Sequence, residues 1–513
     1  MQTTRRAFLK HSGALAVGTS AGLSLLRCGS SFEPAVTDLT SFDGVGLAGL
    51  VRKRQVTPLE LVEDVIRRVE EVNGPINAVL TTLFDADKAR IRSQGELGDG
   101  PLAGVPVMLK NLIAYEEAAI DSGSRLMALA RERGISRPGT SPLVTAMENS
   151  GMIVTGITNT PEMGLIDTTE PRLHGPTRNP WNTDYTAGGS SGGTAAAVAA
   201  GIVPLAHGND GGGSIRLPAS QCGVFGLKPT RARELGSQGS GLLDISNNLC
   251  LSRSVRDTAA FLSVVENLNL ADFPPVRYVR GPSTKRLRIA LMMEGFQGVA
   301  VHPEVEKGVL SAADLCRELG HEVVEVPLPI DGAEFIDTFI GFWASGTVAT
   351  EALVAEWLGE GTDPSEVLEP WTLGLIQMAK DRGPEACVER AIEVFTRANQ
   401  AMSDLFQRHD VLLSPVLREP PYPIGHHWPM GDFETILERV IDSVAYTPLQ
   451  NAVGMPGMSV PLHWTADNLP VGVQFSAWRG GDRTLLELAY ELEEARPWAD
   501  RRPPIYASPA NIS

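Results

Sequence analysis

Cysteine is scarce in this 513-residue chain, and the five present (Cys28, Cys222, Cys250, Cys316 and Cys387) are scattered with no CxxC pair. That spacing builds neither a zinc site nor a disulfide framework. Histidine is scarce too, with nine residues and no HExxH; the adjacent pair His426-His427 reads as loop. Nothing in the pattern asks for a metal or a cofactor. A long apolar run is also missing near the N-terminus, where residues 13–26 fall short of the roughly 18–20 that a membrane span needs. Basic charge is in deficit: 44 Lys and Arg stand against 61 Asp and Glu, for a formal charge of -17. Residues 1–28 hold Arg5, Arg6, Lys10 and Arg27 and no acid, so the remainder carries 40 basic and 61 acidic residues, a net -21. Such a surface excludes a nucleic-acid groove and an anionic membrane as partners, and reads as solubility.

What is present is a body that is 43% hydrophobic, enough to bury a large core. It has no internal repeat, low-complexity tract or long linker. The N-terminus has a basic start, an apolar middle and no acid. Its "TTRRAFLK" resembles a twin-arginine export signal over residues 1–28, which implies export to the periplasm or another extracytoplasmic site. Leu25 and Cys28 echo a lipoprotein box, although Arg27 stands where a small residue is expected. A lipid anchor on Cys28 is therefore a separate expectation.

Residues 29–513 read as a single layered α/β domain. "TPLELVEDVIRRVEEVNGP" predicts a helix with a capping box at Thr57 and Glu60, Pro58 in its first turn and a stop at Gly74. "LRIALMM", a helix over residues 302–319 closed by Gly320, and "HEVVEVPL" form a β-α-β unit, which favours parallel strands covered by helices. "LPVGVQFSAW" predicts a strand and residues 482–495 a helix. Residues 274–285 read as a connecting loop.

Two glycine clusters carry the chemistry. "AGGSSGGTAAAVAAG" places Ser190 and Ser191 on a loop entering an Ala-rich helix that ends at Gly201. It lacks the lysine of a phosphate loop. It does match a GxSxG elbow, but the preceding "RNPWNTDYTA" is turn chemistry rather than the apolar strand an elbow needs. "GNDGGGSIRLP" sets Gly211, Gly212 and Gly213 directly before Ser214, where bare backbone N–H groups can approach a forming oxyanion. Upstream, "GVPVMLKNL" ends an apolar run on Lys110, which taken singly reads as a snorkelling surface lysine.

Together these pieces resemble the amidase signature family of serine hydrolases. The most specific portion is "GGSSGGTAAAVAAGIVPLAHGNDGGGSIRLPASQCGVFGLKPT", residues 188–230, supported by "TNTPEMG", "RNPWN", "NAVGMPGMSVPL" and "LPVGVQ". The resemblance implies a large mixed β-sheet covered by helices on both faces. It also implies Ser214 as acyl-forming nucleophile, Ser190 as a bridging serine held by a cis peptide, and Lys110 as base. Gly211, Gly212, Gly213 and Ser191 would line the oxyanion and substrate site. A neutral lysine amine can activate a serine, as Ser-Lys variants of the hydrolase triad show. Asp210 and Arg216, flanking the loop, read as structural supports.

Within the family, "TTEP", "GPTRNPWN", "PLAHGND" and "LEEARPWADRRP" look most like hydrolases of the cyclic dimer of aminohexanoate, which implies a linear amide or small lactam as substrate, with water as co-substrate. Residues 335–350 are a pocket wall by the same analogy, although Phe342 and Trp343 are equally explained as core. Three positions depart from the family pattern: Asn111, where many members have an acid; Ile157, in place of a basic residue; and Gly211, in place of a larger one. Two readings compete, a Ser-His-Asp esterase with Ser190 in an elbow and a subunit of an amide-transfer complex. A homodimer is left open.

Overall fold

The computed structural model describes residues 38–93, 98–135, 139–237, 239, 241–270 and 272–509. The segment read as an export signal, with Cys28, lies outside the described residues. Thirteen strands occur among them: β1 (Val79–Thr82), β2 (Pro106–Lys110), β3 (Ile153–Thr158), β4 (Arg178–Asn179), β5 (Asn182–Thr186), β6 (Leu205–Asp210), β7 (Phe225–Lys228), β8 (Asn247–Ser252), β9 (Arg288–Leu291), β10 (Glu322–Glu325), β11 (Val411–Pro415), β12 (Gly457–Trp464) and β13 (Pro470–Ser476). Eleven of them form one sheet in the order β1-β3-β2-β6-β8-β7-β12-β13-β11-β9-β10. It is mixed: β3, β2 and β6 run parallel, as do β11, β9 and β10, while β6, β8, β7, β12, β13 and β11 alternate in direction.

Strand alternation shows that both faces are covered. Ile289, Leu291, Val411 and Leu413 belong to one apolar cluster, and their neighbours Ala290 and Leu412 belong to another. Successive side chains leave a strand on opposite faces, so the clusters lie on opposite sides of the sheet. The second cluster includes side chains of the helices Gly332–Ser345, Pro370–Arg382, Pro384–Phe406 and Phe433–Ser443, and all but Pro384–Phe406 wall the cleft described below.

The β-α-β unit forms as expected, with β9 and β10 parallel and the helix Pro303–Glu318 between them. The helix Asp482–Ala495 also matches its expected bounds. The first capped helix starts as expected at Pro58, with reciprocal Thr57–Glu60 hydrogen bonds of 2.7 and 3.2 Å. It does not stop at Gly74 but runs to Ile76. One helical glycine costs only about 1 kcal/mol, and a better stop follows. Asn77 takes the left-handed conformation (φ 49°), its N–H donates to the Asn73 carbonyl, and the Asn73 side chain accepts from Ala78 and Val79. The "RNPWN" segment is a two-stranded hairpin, β4 and β5, apart from the main sheet. Turn chemistry identifies the bend and misses its short flanks.

Candidate active site

β2 is buried at every residue and ends at Lys110. β6 runs parallel beside it, with Met108 opposite Ala206, so Lys110 and the "GND" segment emerge at the same carboxyl edge of the sheet. In open α/β sheets that edge is where ligands bind. Lys110 is wholly buried, which disposes of the surface-lysine alternative. Its Nζ lies 2.6 Å from Ser190 Oγ and also bonds Asn209 Oδ1. Both partners are neutral oxygens. Burial therefore holds the ammonium well below the ordinary lysine value, opposed only by the more distant charge of Asp210.

Ser191 caps the helix Gly192–Ala199, and the Gly189–Ser190 peptide before it is cis. Thr160 Oγ1 donates to the Ser190 carbonyl at 2.9 Å. The two glycine clusters meet here: the Ser191 N–H donates to the Ser214 carbonyl at 3.3 Å, and Ser191 Oγ donates to the Asn209 carbonyl at 3.2 Å. Ser214 keeps 8% of its surface exposed while Ser190 keeps 2%, so Ser214 is the more accessible of the two residues.

Asp210 shapes the loop between them. Its Oδ2 accepts the N–H groups of Ile215 and Arg216 at 3.2 and 3.4 Å, whereas those of Gly211, Gly212, Gly213 and Ser214 meet no acceptor among the described residues. Gly213 has φ 139°, and a Cβ there would stand 2.3 Å from Thr447 Oγ1, which itself donates to the Gly212 carbonyl at 2.6 Å. Only glycine fits. Arg216 is buried and forked onto Asp210 at 2.9 and 3.0 Å, and its other N–H groups reach Gln450, Gln474 and Asn451. Burial alone would raise the Asp210 carboxyl, but Arg216 outweighs it and holds the group at about 2. The support role expected for this pair fits its geometry.

Ser214 and Gly212 line an open cleft whose walls are largely apolar. Phe339 and Trp343, four residues apart on the helix Gly332–Ser345, stack on one another and face it. Trp343 and Trp371 both donate their indole N–H to the Leu165 carbonyl, at 3.2 and 3.0 Å, which fixes two aromatic walls on one anchor. Residues 335–350 thus split: Trp343 lines the cleft, and Phe342 turns away onto the edge of Phe395.

The three departures from the family pattern have distinct surroundings. Asn111 does not approach Lys110 through its side chain; it pairs reciprocally with Asp121 at 2.6 and 3.0 Å, and Asp121 in turn meets His174 at 3.0 Å. Ile157 is a buried residue of β3. Gly211 packs under Trp343, where a Cβ would lie 3.0 Å from the indole. Asn209 and Thr447 are residues that sequence pattern does not single out. Asn209 stands inside the "GND" segment, but nothing in the sequence says it bonds Lys110.

The histidine-based alternative finds no support in the geometry. Among the described residues no histidine hydrogen-bonds to Ser190 or Ser214. His207, the buried histidine of β6, is pushed down to about 3 by burial, against a 3.3 Å contact with Asn248.

Residues 60–486 match the protein-family model Amidase. The chain is 39% identical over 469 residues to the putative amidase AmiC of Mycobacterium tuberculosis (strain ATCC 25618 / H37Rv), covering 90% of this chain and 96% of that protein. It is 33% identical over 492 residues to the 6-aminohexanoate-cyclic-dimer hydrolase of Pseudomonas sp. (strain NK87), again covering 90% and 96%. A solved structure of 6-aminohexanoate cyclic dimer hydrolase superposes with a TM-score of 0.81 at 31% identity, covering 91% of this chain and 99% of that one. A bacterial aryl acylamidase structure superposes with a TM-score of 0.77 at 27% identity, covering 89% and 97%. Likeness over this much of the chain makes it an amide-hydrolysing enzyme, and it belongs to the amidase signature family.

Proposed function

We propose that this amidase cleaves a non-peptide carboxamide, linear or cyclic, through an acyl-enzyme on Ser214. The observation that carries the reading is the buried Lys110 amine 2.6 Å from the Ser190 hydroxyl. Lys110, uncharged because it is desolvated, takes the Ser190 proton as Ser190 takes that of Ser214. Ser214 Oγ then adds to the amide carbon, and the carbonyl π pair moves onto oxygen. That oxyanion is received by the free N–H groups around Gly211, Gly212 and Gly213. The C–N bond breaks, and the proton returns through Ser190 to the leaving nitrogen. Water repeats the sequence on the ester: it gives a proton to the same relay, and Ser214 regains its own as the acid departs. Ser191 supports this site by tying the Ser214 carbonyl to the helix start.

The apolar walls formed by Phe339, Trp343 and Trp371 favour an amide with apolar flanks. That agrees with the activity for which the similar cyclic-dimer hydrolases are named. Replacing Ser214 with Ala should lower kcat by several orders of magnitude, on the order of 10⁶ where a serine nucleophile acts within such a unit. A fluorophosphonate should label Ser214 in peptide mapping; label on Ser190, or near-normal turnover of S214A, overturns the mechanism.

Export is a second part of the proposal and rests on residues 1–28 alone, with Arg5 and Arg6 as the twin arginines. Changing both to Lys should retain the enzyme in the cytoplasm. Mass spectrometry of the mature N-terminus tests the lipid anchor, and an unmodified Cys28 ends that idea.

A further inference from the structure

The cleft carries one feature that amide cleavage at Ser214 does not use. Of its lining residues, among those described, Asp167 alone has an ionisable side chain. That side chain is 4% exposed. Its Oδ1 lies 2.9 Å from His427 Nδ1, and its Oδ2 has no hydrogen-bond donor among the described residues. A buried carboxylate oxygen left without a donor is costly and calls for a partner. Glu170, three residues on, makes the contrast: its two oxygens accept from Thr168 Oγ1 at 2.7 Å and from the Gly425 N–H at 2.9 Å.

Glu170 lies within electrostatic reach of both Asp167 and His427, and burial raises its carboxyl above the ordinary value. His426, the next ring, is pushed below the ordinary imidazole value by burial, His427 and Arg439, whose guanidinium donates to the His426 carbonyl at 2.7 Å. Tyr422 donates to the Asp167 carbonyl at 3.1 Å and packs 4.0 Å from the His427 ring; burial and then the two carboxylates push its phenol far above the ordinary value. Asp167 thus sets a carboxyl with one unbonded oxygen at the wall of an apolar, aromatic-lined cleft.

From this we infer that Asp167 is a specificity-determining residue which receives an alkylammonium group of the substrate. The preferred amide would carry a second nitrogen, protonated, at a chain's length from the scissile carbonyl. The inference rests on the reading of Ser214 as the reacting group in this cleft. An ammonium entering an apolar cleft loses its hydration, which only a fixed anion repays. Neutral amides need no such partner, so the effect appears as selectivity between matched substrates. His427, bonded to the other oxygen, acts as a positioning residue that fixes the carboxylate.

The test compares pairs of amides of equal length that end in an amino group or in a methyl group, placed on the acyl side in one series and on the amine side in the other. The full-length purified enzyme should favour the amino-terminated member of one series by about ten-fold or more in kcat/KM, chiefly through KM. Asp167→Asn should bring that ratio to about one. A structural role would instead slow both members alike and leave the ratio where it was, which overturns the inference. A ratio near one in both series of the unaltered enzyme overturns it too, while the amidase reading stands as long as either member is cleaved. Cleavage of no amide at all by the unaltered enzyme would strike the amidase reading itself. Should Asp167→Asn fail to fold, competitive inhibition of the unaltered enzyme decides. An n-alkylammonium should inhibit at least about ten-fold more tightly than the n-alkanol of equal length, and equal inhibition overturns the inference.

Discussion

Lys110 ends β2 and Lys228 ends β7, and both are wholly buried. Desolvation lowers both: Lys110 goes well below the ordinary value, and Lys228, with Arg216 adding to the effect, goes to about 7. What separates them is the partner. Lys110 faces a hydroxyl, Ser190 Oγ, that can give up a proton. Lys228 faces the Pro229 carbonyl at 2.8 Å and the Asn247 side-chain oxygen at 2.9 Å, neither of which has a proton to give. Burial makes an amine available as a base; only a neighbouring O–H gives it something to do. A depressed lysine value is therefore insufficient to identify a base.

The largest expected effect comes from Lys110→Met, which should reduce kcat/KM by about 10⁴ or more. It should leave the fold at least as resistant to urea at neutral pH. The unfolded lysine binds protons up to about 10.4, whereas the folded one does so only at lower pH, so stability from this group falls as pH drops between the two values. Removing the lysine removes that loss.

Asp210 acts on both lysines through its charge, and Asp210→Asn should cost about 3–5 kcal/mol by leaving Arg216 buried without its anion. In the unaltered protein the Asp210 contribution is present in full above the ordinary carboxyl value of about 3.9 and is lost as pH falls through about 2. Urea midpoints measured from neutral to acid pH check both statements.

The pH profile sharpens the comparison. Because the base must be uncharged, kcat/KM should rise with pH through one ionisation and then level off. Lys228→Met should leave the position of that rise in place and change activity by no more than about ten-fold, as for a buried residue outside the reacting unit. A profile that moves with Lys228 instead would reverse the assignments of the two lysines. The smallest effect is expected at Gly211→Thr, where the new side chain presses on Trp343. KM for bulky amides should change several-fold with little change in kcat, and steady-state kinetics on a size series checks this.

Local features are legible in the residue order alone. The Thr57–Glu60 capping box and the Ala-rich helix after Ser191 depend on residues within a few positions of one another, and the β9-helix-β10 unit is read from three consecutive local patterns. Where expectation and fold part, two local signals compete. Gly74 loses to the better stop at Asn77, and the "RNPWN" turn carries short strands on each side. Lys110 is ambiguous in sequence for a different reason. An apolar run ending in lysine describes both a surface stem and a buried base, and the choice depends on Ser190, 80 residues away. The Asp167–His427 contact, across 260 residues, leaves no sequence signal beyond an adjacent histidine pair that reads as loop.

By itself the sequence determined the element types, the two glycine-bounded serines and the kinship that names the chemistry, because periodicity, capping and motif spacing are set by near neighbours along the chain. Tertiary structure alone decided that Lys110 is buried beside a hydroxyl, that Lys228 is buried without a hydroxyl to act on, and that Asp167 meets His427 at the wall of an aromatic cleft. Those outcomes depend on which distant strands and loops meet, and desolvation exists only where they do.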